Sequence, residues 1–319
     1  MKKTYTSPLT IAYTDQYMNW QLGSGDGSHP TNPVRAKIAV QMLKEELPKL
    51  GVNFDMLKPE FLESDIGKLL EVHSTDYVNS VTAGVSSEWD GISKLNAETA
   101  GLMFAGTARL VEKIIAGETL VGFNPQGAKH HAQKAYSSGF CVYNDMAYAA
   151  VEFQRAGLRP LYIDWDVHAG DGVQNILAGI DIPTYSIHGH GIFPNSPTTS
   201  LPKKVDKYLY ANKEEGWWNY NLQLGSGDAE FMWAIDDIAL KVAEYKPGVI
   251  LLATGADGHE GESWGMKYTY EGYDYAAGVV RELAAEFTGG KVLVGGAGGY
   301  QPFSHTPRIW ANVIEALVE

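Results

Sequence analysis

Leu161-Tyr162-Ile163-Asp164-Trp165-Asp166-Val167-His168-Ala169-Gly170-Asp171-Gly172 is the stretch whose reading decides the fold. Its apolar start, residues 161–166, predicts a buried strand that runs straight into charged residues and glycine. Buried parallel strands release polar residues at their carboxyl ends, where open α/β sheets bind ligands. Alternation along an extended strand end places Asp164, Asp166 and His168 on one side. Two carboxylates and an imidazole facing one way cannot all be buried without a cation or compensating hydrogen bonds. A divalent metal answers that requirement; an ion-pair cluster or a capped turn is the other reading of the segment alone.

The same pattern recurs on both sides. Residues 9–13 predict a strand, and 33–49 a helix with Asn32 as N-cap and Pro33 at the first helical position. Residues 97–116 predict a helix stopped by Gly117, 119–123 a strand and 141–156 a helix. Beyond the central segment, 183–188 predict a strand, 231–245 a helix and 248–254 (GVILLAT) a core strand. Residues 273–287 predict a helix, 291–295 a strand and 306–317 a closing helix. Strands alternating with helices imply an α/β fold, a parallel sheet sandwiched between α-helix layers. No Pro/Ser-rich linker and no fixed-period repeat divides the chain, so residues 1–319 read as a single domain.

Composition narrows the partners. Of 319 residues, 45% are hydrophobic and 20% charged, the profile of a globular protein with a sizeable core. The 25 basic and 38 acidic residues leave a net charge of −13, with no basic run longer than Lys203-Lys204, which argues against nucleic acid. The single cysteine, Cys141, excludes an internal disulfide framework and a Cys-rich zinc ribbon. No apolar segment follows Met1-Lys2-Lys3-Thr4, and no stretch approaches the roughly 18 apolar residues of a membrane span. A cytoplasmic protein with no membrane partner is expected; the oligomeric state stays open, a homo-oligomer included.

Other residues carry chemistry more weakly. Asp257 ends the run Gly255-Ala256-Asp257 at a strand tip, as a third metal ligand or as a cap for the next turn. His130-His131 follows a strand and a glycine loop; on a surface it means little, but an imidazole donating to a carboxylate has its tautomer set and its basicity raised. Asp164 and Asp171 are the carboxylates left once Asp166 is given to a metal. Tyr300 closes the turn Gly295-Gly296-Ala297-Gly298-Gly299-Tyr300, either packed on a loop or donating to an oxyanion. Phe140 and Phe193 are core residues or tunnel walls, and Cys141 reads as a small packing residue.

Taken in order, these segments resemble the zinc-dependent histone deacetylase superfamily, which includes acetoin utilisation proteins and acetylpolyamine amidohydrolases. The resemblance is carried by His29-Pro30 with Arg35, by residues 127–145 (GAKHHAQKAYSSGFCVYND) and by 163–174 (IDWDVHAGDGVQ). Ser186-Ile187-His188, Gly255-Ala256-Asp257 and residues 295–300 (GGAGGY) continue it. It implies the arginase–deacetylase fold and hydrolysis of an N-acetyl amide on acetylated lysine or another acetylated amine, releasing acetate. By position it implies Asp166, His168 and Asp257 as ligands of one Zn2+, the family expectation, while the ligand types also allow Fe2+. His130 is implied as partner of Asp164, His131 as partner of Asp171, and Tyr300 as the carbonyl-polarising residue. Phe140, Phe193, Gly139 and Trp264 are implied to line the substrate tunnel. A structural K+ is implied at Asp164, Ser186 and the backbone of Asp166, His168 and Ile187.

The chain departs from that pattern at Ala169, where many relatives have a second histidine, at Lys129 before the histidine pair, and at Glu262-Ser263, where Asp-Pro is usual. The acidic residue of the tunnel rim falls on Glu88 or Asp90. Competing readings are an arginase-like binuclear ureohydrolase, which needs about twice these ligands, a non-catalytic acyl-binding module, and an acetylpolyamine hydrolase.

Overall fold

A computed structural model describes residues 9–21, 31–84, 93–194 and 208–319. His29, Pro30, Glu88, Asp90 and Lys203-Lys204 lie outside the described residues. Among the described residues nine strands form one sheet in the order β2-β1-β3-β9-β8-β4-β5-β7-β6. They are β1 (Leu9–Ala12), β2 (Phe54–Leu57), β3 (Val121–Asn124), β4 (Pro160–Asp164), β5 (Thr184–Gly189), β6 (Leu209–Asn212), β7 (Trp217–Leu222), β8 (Val249–Ala253) and β9 (Val292–Gly295).

Every pair is parallel except β6 with β7, so the all-parallel expectation is corrected at one edge. β2, β6 and β7 do not announce themselves in the sequence. β7 reads Trp-Trp-Asn-Tyr-Asn-Leu, and buries Asn219 and Asn221 where an apolar run would be sought. Asn219 is satisfied by donating to Gln174 (2.9 Å).

The helices cover both faces. α1 (Val34–Glu46), α7 (Asp228–Tyr245), α8 (Tyr270–Leu283) and α9 (His305–Val318) pack on one. α3 (Thr75–Thr82), α4 (Lys94–Ile115), α5 (Asp145–Arg155) and α6 (Asp171–Leu177) pack on the other, with the short α2 (Asp65–Leu69). β8 shows why such a strand must be apolar throughout. Ile250 and Leu252 enter one core, while Val249, Leu251 and Ala253 enter the other.

Local chemistry sets the element ends. α1 begins at Val34 with Pro33 at its N-cap, one residue later than predicted, and the Asn32 side chain accepts from Val34 N–H (3.0 Å) just ahead of the helix. α5 starts at Asp145, later than the predicted 141, because the Asn144 side chain caps it by accepting from Ala147 N–H (2.9 Å). Residues 141–144 are thereby left as irregular backbone under the site. β4 ends at Asp164, two residues before the predicted boundary, yet the alternation persists: Trp165 and Val167 stay in the α7–α9 core while Asp166 and His168 face away from it. Among the described residues no helix is long and apolar enough to cross a membrane.

Candidate active site

The candidate residues meet at the carboxyl edge of the five central strands. Asp164 ends β4, with Asp166 and His168 just beyond it; Asp257 follows β8. His130 and His131 lie between β3 and α5, Tyr300 between β9 and α9, and Phe193 after β5. This is where the crossover geometry of an α/β sheet opens a crevice.

Asp166, His168 and Asp257 are all buried, and each offers one ligand atom within 4.8 Å of the others. His168 Nδ1 lies 3.0 Å from Asp166 Oδ1 and 3.0 Å from Asp257 Oδ2. Backbone donors aim the carboxylates: Val167 N–H to Asp257 Oδ1 (2.9 Å), His168 N–H to Asp166 Oδ1 (2.9 Å) and Gly298 N–H to Asp166 Oδ2 (2.6 Å). Burial and the facing Asp166 charge push Asp257 up to about 7. Burial also opposes ionisation of Asp166, but His130 and His168 outweigh it and hold that carboxyl far below its usual range. Two carboxylates and one nitrogen converging without a permanent positive charge between them are a donor set that fits a divalent cation.

The histidines form two dyads. His130 Nδ1–H donates to Asp164 Oδ2 and His131 Nδ1–H to Asp171 Oδ1, each at 2.7 Å. In the neutral His131 ring this leaves Nε2 as the free nitrogen. Their environments pull them apart. Burial disfavours a charged His130, but Asp164 and Asp166 overturn that and raise it to about 9. Burial and the neighbouring His130 lower His131 to about 4. The two rings are thus pulled in opposite directions, His130 toward its protonated form and His131 toward the neutral one.

The Tyr300 phenol is pushed well above 10 by burial, then by Asp257 and Asp166, so it remains a donor. His131, Gly139, Phe140, His168, Phe193, Trp264 and Tyr300 line a cavity of about 290 Å³. Its walls are edge-on aromatics: Phe193 against His131 (4.9 Å between centroids) and Trp264 against His168 (4.4 Å). Gly139 has φ +53°, and a Cβ there would run into the His131 ring and meet Phe193 at 2.9 Å, so glycine is required for both conformation and space. Phe140 also has positive φ (+63°), a strained conformation held beside the cavity. A narrower chamber of about 30 Å³ is lined by Arg35 and Lys129 together with His130, His131 and Tyr300. Burial lowers the Lys129 ammonium to about 8, and the Arg35 guanidinium is anchored on the Gly299 carbonyl.

Of the residues implied for K+, Asp164 and Ser186 are direct partners in the β4–β5 register, and Ser186 accepts from Gly170 N–H (3.3 Å).

Other supports are not singled out by the sequence. Gln133 donates to Asp171 Oδ2 (2.9 Å) while accepting from Asn175 (3.0 Å), which locks the His131 dyad. Asp145 accepts from Ala128 N–H (3.0 Å), Lys129 N–H (2.8 Å) and the Thr107 hydroxyl (2.6 Å), and so holds the backbone that presents the histidines. Only proximity to His130-His131 marks Gln133, and only the Asn144-Asp145 pair marks the second.

An α/β sheet whose central strand tips bring a buried two-carboxylate, one-imidazole cluster beside paired His–Asp dyads belongs to the class of metal-dependent hydrolases. The chain matches the histone deacetylase domain over residues 29–317 and belongs to that family. It is 28% identical over 340 residues to the acetoin utilization protein AcuC of Staphylococcus aureus (strain Mu50 / ATCC 700699), covering 99% of this chain and 83% of the relative. AcuC of Bacillus subtilis (strain 168) is 30% identical over 305 residues, covering 89% of this chain and 76% of that one. The crystal structure of the HDA15 HD domain matches the fold with a TM-score of 0.79 at 23% identity, over 97% of this chain and 90% of that chain.

Proposed function

We propose that the protein hydrolyses the N-acetyl amide of a lysine-like amine, releasing acetate, at a single Zn2+ held by Asp166, His168 and Asp257. The observation that carries this reading is the convergence of those three side chains within 4.8 Å, with His168 lining the cavity that His131 and Tyr300 also line. Membership of the deacetylase family supports the reaction class. The donor set suits Zn2+ and Fe2+ alike. Asp164, Ser186 and the backbone of Asp166, His168 and Ile187 are proposed to hold K+, which would brace the strand tips that carry the ligands.

A cation bound there supplies Lewis acidity toward the amide oxygen and acidifies water. The residues do the rest. Phe140 and Phe193, with Gly139 and Trp264, enclose the apolar stem of the substrate and keep bulk water out. Nε2 of His131 removes the proton of the attacking water, and Asp171 steadies the imidazolium that forms. The Tyr300 hydroxyl donates to the oxygen as it gains charge, an interaction worth about 10²–10³ in rate. The protonated His130–His131 pair returns a proton to the departing nitrogen. One water and one amide thus become a carboxylate and an amine.

The test measures metal-stripped and Zn2+- or Fe2+-reconstituted protein, in parallel, on an acetyl-lysine peptide and on acetylputrescine. Chelator-sensitive turnover of the peptide, restored by about one metal per chain, is the expected result. Turnover of acetylputrescine alone would move the assignment to small acetylated amines. No turnover of either by the reconstituted protein would overturn the hydrolytic reading, and two metals per chain would favour ureohydrolase chemistry.

A further inference from the structure

We propose that Glu262 is a positioning residue for Tyr300, acting through the tyrosine's backbone N–H and itself held by His305. The proposal rests on the deacetylase reading above.

Glu262 lies in the stretch after β8 that also carries Asp257 and Trp264. Its neighbours Gly261 and Ser263 are exposed, but its side chain is 2% exposed. A carboxylate turned inward from a surface loop is costly unless its oxygens are occupied. Here Oε1 accepts the Tyr300 backbone N–H at 2.7 Å and faces His305 Nε2 at 3.1 Å.

His305, the first residue of α9, is buried, and its ring stacks on His259 (4.2 Å between centroids, 20° between planes). His259 Nδ1 in turn accepts Gly261 N–H (3.0 Å). The stretch that bears Glu262 therefore grips His305 from two directions. Glu262 joins the two walls that Trp264 and Tyr300 present to the cavity, whose rings lie edge-on at 5.8 Å.

The peptides flanking Tyr300 show why this contact matters. Arg35 holds the Gly299 carbonyl on one side, and Gln301 N–H donates to the Thr306 hydroxyl (3.2 Å) on the other. Gly299 has φ +131°, a region where glycine has little intrinsic preference to hold a single conformation. The Tyr300 N–H is the remaining tether, and Glu262 supplies its acceptor. An oxyanion donor acts only when set at hydrogen-bond distance from the developing charge. A misplacement of about 1 Å costs on the order of 10²-fold in rate. Substrate binding is supplied by Phe140 and Phe193, which Glu262 does not touch, so loss of Glu262 lowers kcat and leaves KM near its starting value.

The experiment is a double-mutant cycle between Glu262→Leu and Tyr300→Phe in the metal-loaded protein, with metal content and Tm recorded for each variant. Alone, Glu262→Leu is expected to lower kcat about 10-fold or more at unchanged KM and metal content; in the Tyr300→Phe background it lowers it less than about 2-fold. Glu262→Gln, whose amide oxygen can accept the same N–H, stays within about 3-fold of the parent. If Glu262→Leu does not fold, His305→Ala removes the anchor instead, and the same non-additivity with Tyr300→Phe is expected. Hydrogen exchange of the metal-free protein gives a readout independent of turnover: the segment holding Tyr300 exchanges faster in Glu262→Leu. Equal fold losses in both backgrounds, a rise in KM in place of the fall in kcat, or unchanged exchange at Tyr300 would each overturn the proposal. If the parent protein turns over but ignores Tyr300→Phe, the function reading itself fails, and this proposal falls with it.

Discussion

Gly298→Ala probes the proposed metal centre without touching a ligand. Gly298 does not have positive φ, so its backbone tolerates alanine and any effect comes from the added methyl. That carbon would lie 2.5 Å from Asp166 Oδ2, 2.7 Å from Asp257 Cγ, and closer still to Asp257 Oδ2. Two carboxylates must then retreat by about 1 Å to regain ordinary contact. They retreat from the point they share with His168, and the 2.6 Å bond from Gly298 N–H to Asp166 is stretched with them. A hydrogen bond to a charged group contributes about 1.5–3 kcal/mol, and losing a ligand's outer support typically weakens metal binding about 10- to 100-fold. Zn2+ affinity 10- to 100-fold below the parent is therefore expected, about 1.4–2.7 kcal/mol, read by competition with a chromophoric chelator. Far-UV circular dichroism and the metal-free Tm check the fold. Gly278→Ala, on α8 with nothing beyond its own helix backbone and chain neighbours within 4 Å of the new carbon, serves as control and should bind as the parent does. A Zn2+ affinity within 2-fold of the parent, in a folded Gly298→Ala protein, would refute the argument that this glycine exists to admit the carboxylates.

Three further expectations follow from the geometry. Tyr300→Phe should lower kcat about 10²- to 10³-fold while metal content stays intact; near-parental turnover would remove the hydroxyl from the reaction. Asp257→Ala should lose the metal, since one of three protein donors is gone, and full retention at low free metal would show that the ligand set is wrong. His73 concerns stability. It is buried, its Nδ1–H donates to the Gln133 carbonyl (2.9 Å) and its Nε2 accepts Asn144 N–H (2.9 Å), so only the neutral ring fits. Burial lowers its pKa from 6.5 to about 4. The unfolded chain binds the proton more readily, so the stability this group confers is complete above pH 6.5 and is lost as pH falls toward 4. Between pH 7 and pH 5 the loss is about 2 kcal/mol. In urea unfolding of the metal-free protein, His73→Leu should be less stable at pH 7 but lose less on acidification; an unchanged pH slope would contradict this account.

The parts of the fold that were legible are those whose burial is one-sided in chemistry. β8 has no polar residue because it meets a core on each face, and β4 and β9 read the same way. β7 escaped because buried Asn219 is satisfied by Gln174, a side-chain partner that lies far off in the chain. The edge strand β6 runs antiparallel, which no local pattern signals. Among the candidate site residues, Asp164, Asp166 and His168 are grouped by strand alternation alone. Their approach to Asp257 depends on β4 pairing with β8, a contact between residues nearly ninety positions apart.

Strand and helix periodicity, the acidic side chains at strand ends and the glycine turns are properties of consecutive residues, and one chain read in order is enough to find them. Which carboxylate meets which imidazole, that Gln133 braces Asp171, and that Glu262 reaches the Tyr300 backbone are set by the sheet order and by loop packing. The physical reason is range. Periodicity reports the environment of a residue, buried or exposed, whereas a hydrogen bond at 2.7 Å requires two distant segments to be placed to within a few tenths of an ångström, and only the packed core supplies that placement.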